Sequence, residues 1–293
     1  MKQLLMKIAS PVGILVTKKV LTKHYQGSMP LTSIDKGKKI VVFAPHIDDE
    51  TIGLGGTMMR LKQSGAAIHI VFVTNGAKSN GQDNQFAIIE QRKSEIESIR
   101  DLLGITSIRY LDYEDGEVYK QASPQDFADV IDELTPDLIF TTAFIDAHTD
   151  HVHTAHAVAD GLKLSEHQPE AVLEYEINCP FPPQEINMLV DISETYKEKV
   201  EATKVFKSQV IAFDGFHLLA KLKTNLTKQK TEAVEGFIRS TPTSFIQKSS
   251  NLKEANLTRF DHIFKQANRS ITLLWAIFQN YKEKENFYLI KNK

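Results

Sequence analysis

Cysteine is nearly missing from this chain of 293 residues, where Cys179 is the only one. It can close no intrachain disulfide and complete no CxxC metal site, so a reducing compartment such as the cytoplasm is the natural home. Any metal must then be held by histidine and carboxylates. Long apolar runs are missing too: none reaches the ~18 uncharged residues that a membrane-crossing helix needs. Nor does one sign of charge dominate. Lys and Arg number 35 against 37 Asp and Glu, a net charge of −2, without the basic excess of a nucleic-acid binder. No low-complexity linker and no internal repeat divides the chain, so one domain with a helical C-terminal appendage is preferred to two. The 42% hydrophobic and 25% charged residues exclude disordered and fibrous classes.

What is there first is alternation. Short β-branched runs at 39–44, 67–74, 107–111 and 137–143 are separated by amphipathic stretches, with further runs at 171–177 and 188–191. This pattern predicts an α/β fold, a Rossmann-like, mostly parallel sheet flanked by helices with a helical C-terminal extension. A solvent-facing crossover helix is expected over 87–103, stopped by Gly104. After about Ser193 the pattern reads as helical, over 196–207, 231–239 and a long segment 252–279. The expected divisions are an N-terminal basic and apolar extension 1–37, a central domain 38–240 and a helical appendage 241–293.

Two segments carry more ionisable groups than a strand-to-helix turn needs. The first, Pro45-His46-Ile47-Asp48-Asp49-Glu50, leaves a strand at its carboxyl end, where ligands bind in open α/β sheets. A helix N-cap explains one of these acids, two at most. Three consecutive acids leaving a buried strand would repel by several kcal/mol in low dielectric unless a cation pairs them, and a divalent metal supplies one. The second segment, 146–156, holds Asp146, His148, Asp150, His151, His153 and His156, also just past a strand. Spacing i,i+3 sets His46 beside Asp49 and His148 beside His151. Two histidines and one carboxylate leave an open position on Zn²⁺, as catalytic sites do. His153 and His156 read as helix-face residues. The glycines Gly53, Gly55 and Gly56 come too late after the strand, with Met58 in place of a third glycine, for a dinucleotide fingerprint.

Ala44-Pro45-His46-Ile47-Asp48-Asp49-Glu50 resembles the A-(P)-H-P-D-D-E motif of the PIG-L/LmbE-like de-N-acetylases, and His148-Thr149-Asp150-His151 their H-P-D-H motif. The resemblance extends through Arg92-Lys93-Ser94-Glu95, similar to the family's R-x-x-E, to Ser208-Gln209. It covers about residues 38–210. It implies a Rossmann-like domain that holds Zn²⁺ through His46, Asp49 and His151, with Asp48 as general base. His148 would then steady the oxyanion, Asp150 would orient an imidazole, and Arg92 would reach the substrate or order the site. Ile47 and Thr149 stand where the family has proline, which removes a backbone lock from each loop.

The function implied is zinc-dependent removal of an N-acetyl group from an N-acetylglucosamine-type sugar or glycoconjugate. A zinc amidase for another amide, such as a sugar–thiol conjugate, and an inactive metal-binding relative are the alternatives. Loops 76–85, 113–123 and 179–185 are expected to rim the site and set specificity. Residues 1–24 mix apolar residues with Lys2, Lys7, Lys18, Lys19 and Lys23. They read either as a helix packed on the domain, the preferred role, or as a segment touching an anionic membrane at the cytoplasmic face.

Overall fold

The structure is a computed structural model, described over residues 2–34, 36–77, 85–209 and 211–291, with side chains from Gly13 to Ile290. Seven strands form one sheet: β1 (Lys39–Ala44), β2 (Ala67–Thr74), β3 (Ile105–Tyr113), β4 (Leu138–Thr142), β5 (Ala171–Tyr175), β6 (Met188–Asp191) and β7 (Val234–Ser240). Their order is β3-β2-β1-β4-β5-β7-β6. The first five run parallel, and β7 pairs antiparallel with both β5 and β6. The chain steps outward from β1 through β2 to β3, then returns to place β4 on the other side of β1. That reversal opens a crevice between the carboxyl ends of β1 and β4.

Twelve helices surround the sheet among the described residues. They are α1 (Lys2–His24), α2 (Asp49–Gln63), α3 (Gln85–Ser98), α4 (Arg100–Leu103), α5 (Val118–Gln121), α6 (Pro124–Leu134), α7 (Thr149–Leu164), α8 (Tyr196–Thr203), α9 (Asp214–Leu222), α10 (Pro242–Glu254), α11 (Leu273–Phe278) and α12 (Tyr281–Lys291). Period-2 alternation decides what each face of the sheet buries. Ile40, Val42 and Ala44 of β1 pack with Met58 of α2 and Ile96 of α3. Val41 and Phe43 pack the opposite way, against Phe127 of α6, Val158 of α7 and Phe245 of α10. A third cluster joins Leu21 and Tyr25 to Leu189, Val234, Phe260 and Leu273.

Two helix expectations fail and two are modified. The stretch 231–239 is mostly β7, because Val234 pairs with β6, Ile238 with β5 and Phe237 with both, which outweighs the charged residues before them. The segment 252–279 is not one helix: α10 ends at Glu254, Asn256 takes φ 55°, and irregular chain follows up to residue 269. The crossover helix over 87–103 breaks at Ile99, where φ is −116°, and buries Arg92 and Glu95 instead of leaving that face to solvent. Gly104 ends it at φ 75°, as a left-handed stop should. The helix expected over 196–207 closes at Thr203.

The irregular segment before α11 is tied to α9 by backbone. Gly215 donates its N–H to Asn268 O at 3.0 Å, and Ser270 donates to Asp214 Oδ2 at 3.0 Å. A Cβ at Gly215 would lie 2.1 Å from Ala267 O, a backbone atom that cannot rotate away. Gly215→Ala is therefore expected to destabilise the protein by ~1–3 kcal/mol in urea unfolding, as overpacking does. Wild-type stability in that variant would show that the segment is not docked through this contact.

Candidate active site

His46, Asp48 and Asp49 follow β1, while Asp146, His148, Asp150 and His151 follow β4, so the two loops meet in the crevice between those strands. The carboxylate of Asp49 sits at their junction. Its Oδ2 accepts the His46 backbone N–H at 3.0 Å and lies 3.2 Å from His46 Nδ1 and 3.3 Å from His151 Nε2. The far nitrogens of both imidazoles also face carboxylates. His46 Nε2 is 3.3 Å from Asp150 Oδ2 and 3.4 Å from Asp115 Oδ1, and His151 Nδ1 is 3.1 Å from Asp146 Oδ1.

Those outer acids are themselves fixed. Asp150 accepts from Gly116 N–H at 2.7 Å, and Asp146 accepts from the backbone of His148, Asn178 and Cys179 and from Asn178 Nδ2. A carboxylate behind each histidine fixes ring orientation and raises basicity, as outer partners of metal ligands do. Atoms of His46, His148 and His151 lie within 4.8 Å of one another, as do those of His46, Asp115, His148 and Asp150.

The electrostatics fit a cation. Burial alone would lower both histidines, yet the carboxylates around them outweigh it: His46 is raised well above 6.5 and His151 to about 10. Burial would raise Asp49, but His151 and His46 hold it below the usual carboxylate range. Protons on two imidazoles thus balance the buried acids, and a divalent ion would release those protons on binding. The mutually close donors are the three imidazoles of His46, His148 and His151, or His46 and His148 with Asp115 and Asp150; Asp49 belongs to neither group, although it touches His46 and His151, and such nitrogen and oxygen sets suit a divalent ion.

Asp48 is set apart. It occupies the N-cap position of α2 but its side chain makes no capping bond, and its φ of 139° is one an ordinary residue rarely takes. The turn is held instead by Glu50, whose Oε2 accepts the Asp48 N–H at 3.1 Å. Burial, then the charges of Asp49 and Glu50, raise Asp48 well above 3.8. His148 caps α7, its Nδ1 accepting the Asp150 N–H at 3.2 Å, so the proton of the neutral ring belongs on Nε2. Burial and the neighbouring imidazoles hold His148 down to about 4, which keeps it neutral at pH 7.

These side chains open onto a cavity of about 180 Å³ whose walls include Arg92, Asn178, Gln209, Ile211, Phe216 and Gln266. Arg92 donates to Gln209 Oε1 at 3.3 Å, and Gln209 donates to Ile47 O at 3.3 Å, bracing the loop that lacks proline. His153 and His156 stay outside the cavity: His153 sits against Tyr119, and His156 is buried beside Ser249. Of the expected rim, 113–123 supplies no wall residue and only sets Asp115 behind His46, the 78–84 part of the first loop lies outside the described residues, and 179–185 does not serve. Cys179 and Phe181 are buried in the core, and the wall comes from Ile177 and Asn178 just before them.

The sequence reading missed Asp115, Phe216 and Gln266 and gave Asp146 no role. Asp115 carried a usable signal, since it closely follows a strand's carboxyl end. Phe216 and Gln266 carried none, because only the tertiary fold brings them to the crevice.

Residues 41–161 match the PIG-L family, GlcNAc-PI de-N-acetylase. The chain is 26% identical over 193 residues to the diacetylchitobiose deacetylase of Thermococcus kodakarensis, covering 59% of this chain and 70% of that protein. It is 29% identical over 136 residues to a probable N-acetyl-alpha-D-glucosaminyl L-malate deacetylase 2 of Bacillus anthracis, covering 43% of this chain and 59% of the relative. Among solved structures, the N,N'-diacetylchitobiose deacetylase of Pyrococcus horikoshii superimposes with a TM-score of 0.63 at 22% identity, over 71% of this chain and 85% of its own. That likeness establishes the α/β fold.

The raised pKa of Asp48 has a consequence for stability. Its folded-state value lies above its unfolded value of 3.8, so ionising it opposes folding once the pH exceeds 3.8. Asp48→Asn should therefore raise the urea stability of EDTA-treated protein at pH 7, and the gain should fade as the pH falls toward 3.8. A loss of stability at pH 7, or a gain that ignores pH, would contradict this electrostatic account.

Proposed function

We propose, since residues 41–161 match the PIG-L family, that this chain is a zinc-dependent hydrolase removing the N-acetyl group from an N-acetylglucosamine-type sugar or glycoconjugate. The observation that carries the proposal is the division of labour in one dipeptide. Asp49 is clasped by two imidazoles, while Asp48 stands beside it, buried, with its pKa raised, on the wall of the cavity.

His46, Asp49 and His151 would hold the zinc, a nitrogen and oxygen set that suits this ion and leaves a coordination position open. When bound, zinc polarises the amide carbonyl and lowers the pKa of water toward ~7. Asp48 takes the proton of the attacking water, which its raised pKa equips it to hold, and passes it to the departing amine as the C–N bond breaks. Neutral His148 donates Nε2–H to the developing oxyanion, a contribution of ~3 kcal/mol for one well-aimed donor. Asp150 and Asp146 orient the imidazoles of His46 and His151. Arg92 serves the substrate directly or through Gln209.

The cavity sets polar Arg92, Asn178, Gln209 and Gln266 against apolar Ile52, Ile177, Ile211 and Phe216, a mixture that suits the hydroxyls and the ring face of a sugar. Its volume of about 180 Å³ favours one acetamido sugar at the reacting end. The names of the relatives, diacetylchitobiose and N-acetylglucosaminyl malate deacetylases, support this substrate class. The segments 1–37, 38–240 and 241–293 would act as one folding unit, since Leu21, Val234 and Phe260 share a cluster. The single buried Cys179 agrees with a cytoplasmic site of action.

Elemental analysis and a panel of acetamido sugars test this together. Purified protein should hold about one zinc per chain and lose activity on chelation. Asp48→Asn should keep zinc and lose ~10²–10⁴ in kcat. Asp49→Asn should lose zinc and be partly rescued by excess metal, whereas His148→Ala should keep zinc and lose ~10²–10³ in rate. If Asp48→Asn loses zinc while Asp49→Asn keeps it, the two roles are reversed.

A further inference from the structure

Large exposed apolar side chains gather on two helices. Leu15, Val16 and Val20 of α1 are 66%, 50% and 40% exposed, and Trp275 and Phe278 of α11 are 56% and 39% exposed. Single exposed hydrophobics are ordinary, but contiguous ones with a polar rim mark an interaction site. The two groups adjoin. α1 buries Thr17, Leu21 and Tyr25, so steps of ~100° per residue carry Val20, Val16, Lys23, Lys19 and Leu15 around its open side in that order. His24 lies one turn from Val20, and its ring packs at 5.0 Å against Phe278, which places the exposed face of α11 on the flank where Val20 and Val16 stand. Trp275 precedes Phe278 by three residues and shares that face.

On α1 the charge has one sign, while acids of α12 and of the 184–185 turn, Glu285 and Glu185, stand near Tyr281 at the α11 end. Residues 1–34 contain five lysines and no aspartate or glutamate. Lys18, Lys19 and Lys23 are exposed on α1, and Lys265 Nζ lies 5.6 Å from the centre of the Trp275 ring. Lysines interleaved with aliphatic side chains and an exposed tryptophan suit a phospholipid surface, where the apolar groups enter the headgroup boundary and the amines meet anionic headgroups. Among the described residues no helix is long and apolar enough to cross a membrane, so such contact would be peripheral.

We propose that the α1/α11 face binds the surface of an anionic lipid bilayer. A second copy fits this face less well, because a two-fold contact through it would bring each lysine row toward its own equivalent. The cavity lies close by in the chain: Gln266 on its wall directly follows Lys265. The proposal is independent of the deacetylase reading, since binding is measured without substrate.

Cosedimentation with vesicles of equimolar phosphatidylglycerol and phosphatidylcholine, against phosphatidylcholine alone, tests it. The full chain should pellet with the anionic vesicles and be released by high salt. Lys18→Glu, Lys19→Glu and Lys23→Glu together should weaken binding by about 100-fold, at roughly fivefold per lysine. Trp275→Ala, a change at an exposed position, should weaken it several-fold with an unchanged melting curve. Equal binding to both vesicle types, no binding to anionic vesicles, or full binding by Trp275→Ala would overturn the proposal. So would a dimer in light scattering that Val16→Asp disperses without any vesicle binding, which would assign the face to a second copy.

Discussion

One carboxylate, that of Asp49, holds the two halves of the site together. Buried acid is costly unless positive charge surrounds it, and here the charge comes from His46 on one loop and His151 on the other. The first turn of α2 adds its dipole, and the His46 N–H its hydrogen bond. Because His46 follows β1 and His151 opens α7 after β4, satisfying Asp49 fixes the spacing of the crevice. The outer acids follow from the same requirement. Each imidazole shared with Asp49 needs an acceptor on its other nitrogen, and Asp150 and Asp146 stand there with their remaining lone pairs filled by backbone N–H groups.

Asp48 is the exception that this order permits. Asp49 is paired with two imidazoles, whereas Asp48 sits at an unfavourable φ beside two other acids and makes no capping bond. Strain and desolvation of this kind persist only where the surroundings over-determine them, and here Glu50 grips the same turn through the Asp48 N–H. A buried carboxyl group with a raised pKa in a crevice is a candidate for general acid–base chemistry.

The walls of the cavity come from elsewhere in the chain. Arg92 reaches in from α3, and Phe216 from α9. Gln266 belongs to the irregular segment that the backbone of Gly215 and the side chain of Asp214 hold against α9. The ionisable groups are thus mounted just past the strand ends, while much of the rest of the wall comes from other segments, Arg92 from between β2 and β3 and Phe216 and Gln266 from after β6.

Strand alternation and the two histidine and acid clusters are local patterns, so the parallel α/β core and the place of its chemistry could be read from the chain itself. His46 and Asp49 are three residues apart, and one turn brings them together whatever the remainder of the chain does. The carboxyl ends of the strands at 39–44 and 137–143 were legible as the place for a site. Packing, by contrast, decided that these strands are neighbours, that Asp146 and Asp115 stand behind the imidazoles, and that 234–240 is a strand. The helical reading of 231–239 rested on its local pattern and fell to pairing on both edges, a non-local interaction that no window of sequence contains. For the same reason Gln266 could not be read in advance: it lies far along the chain from both clusters, and only the docking of its segment against α9 brings it to the crevice.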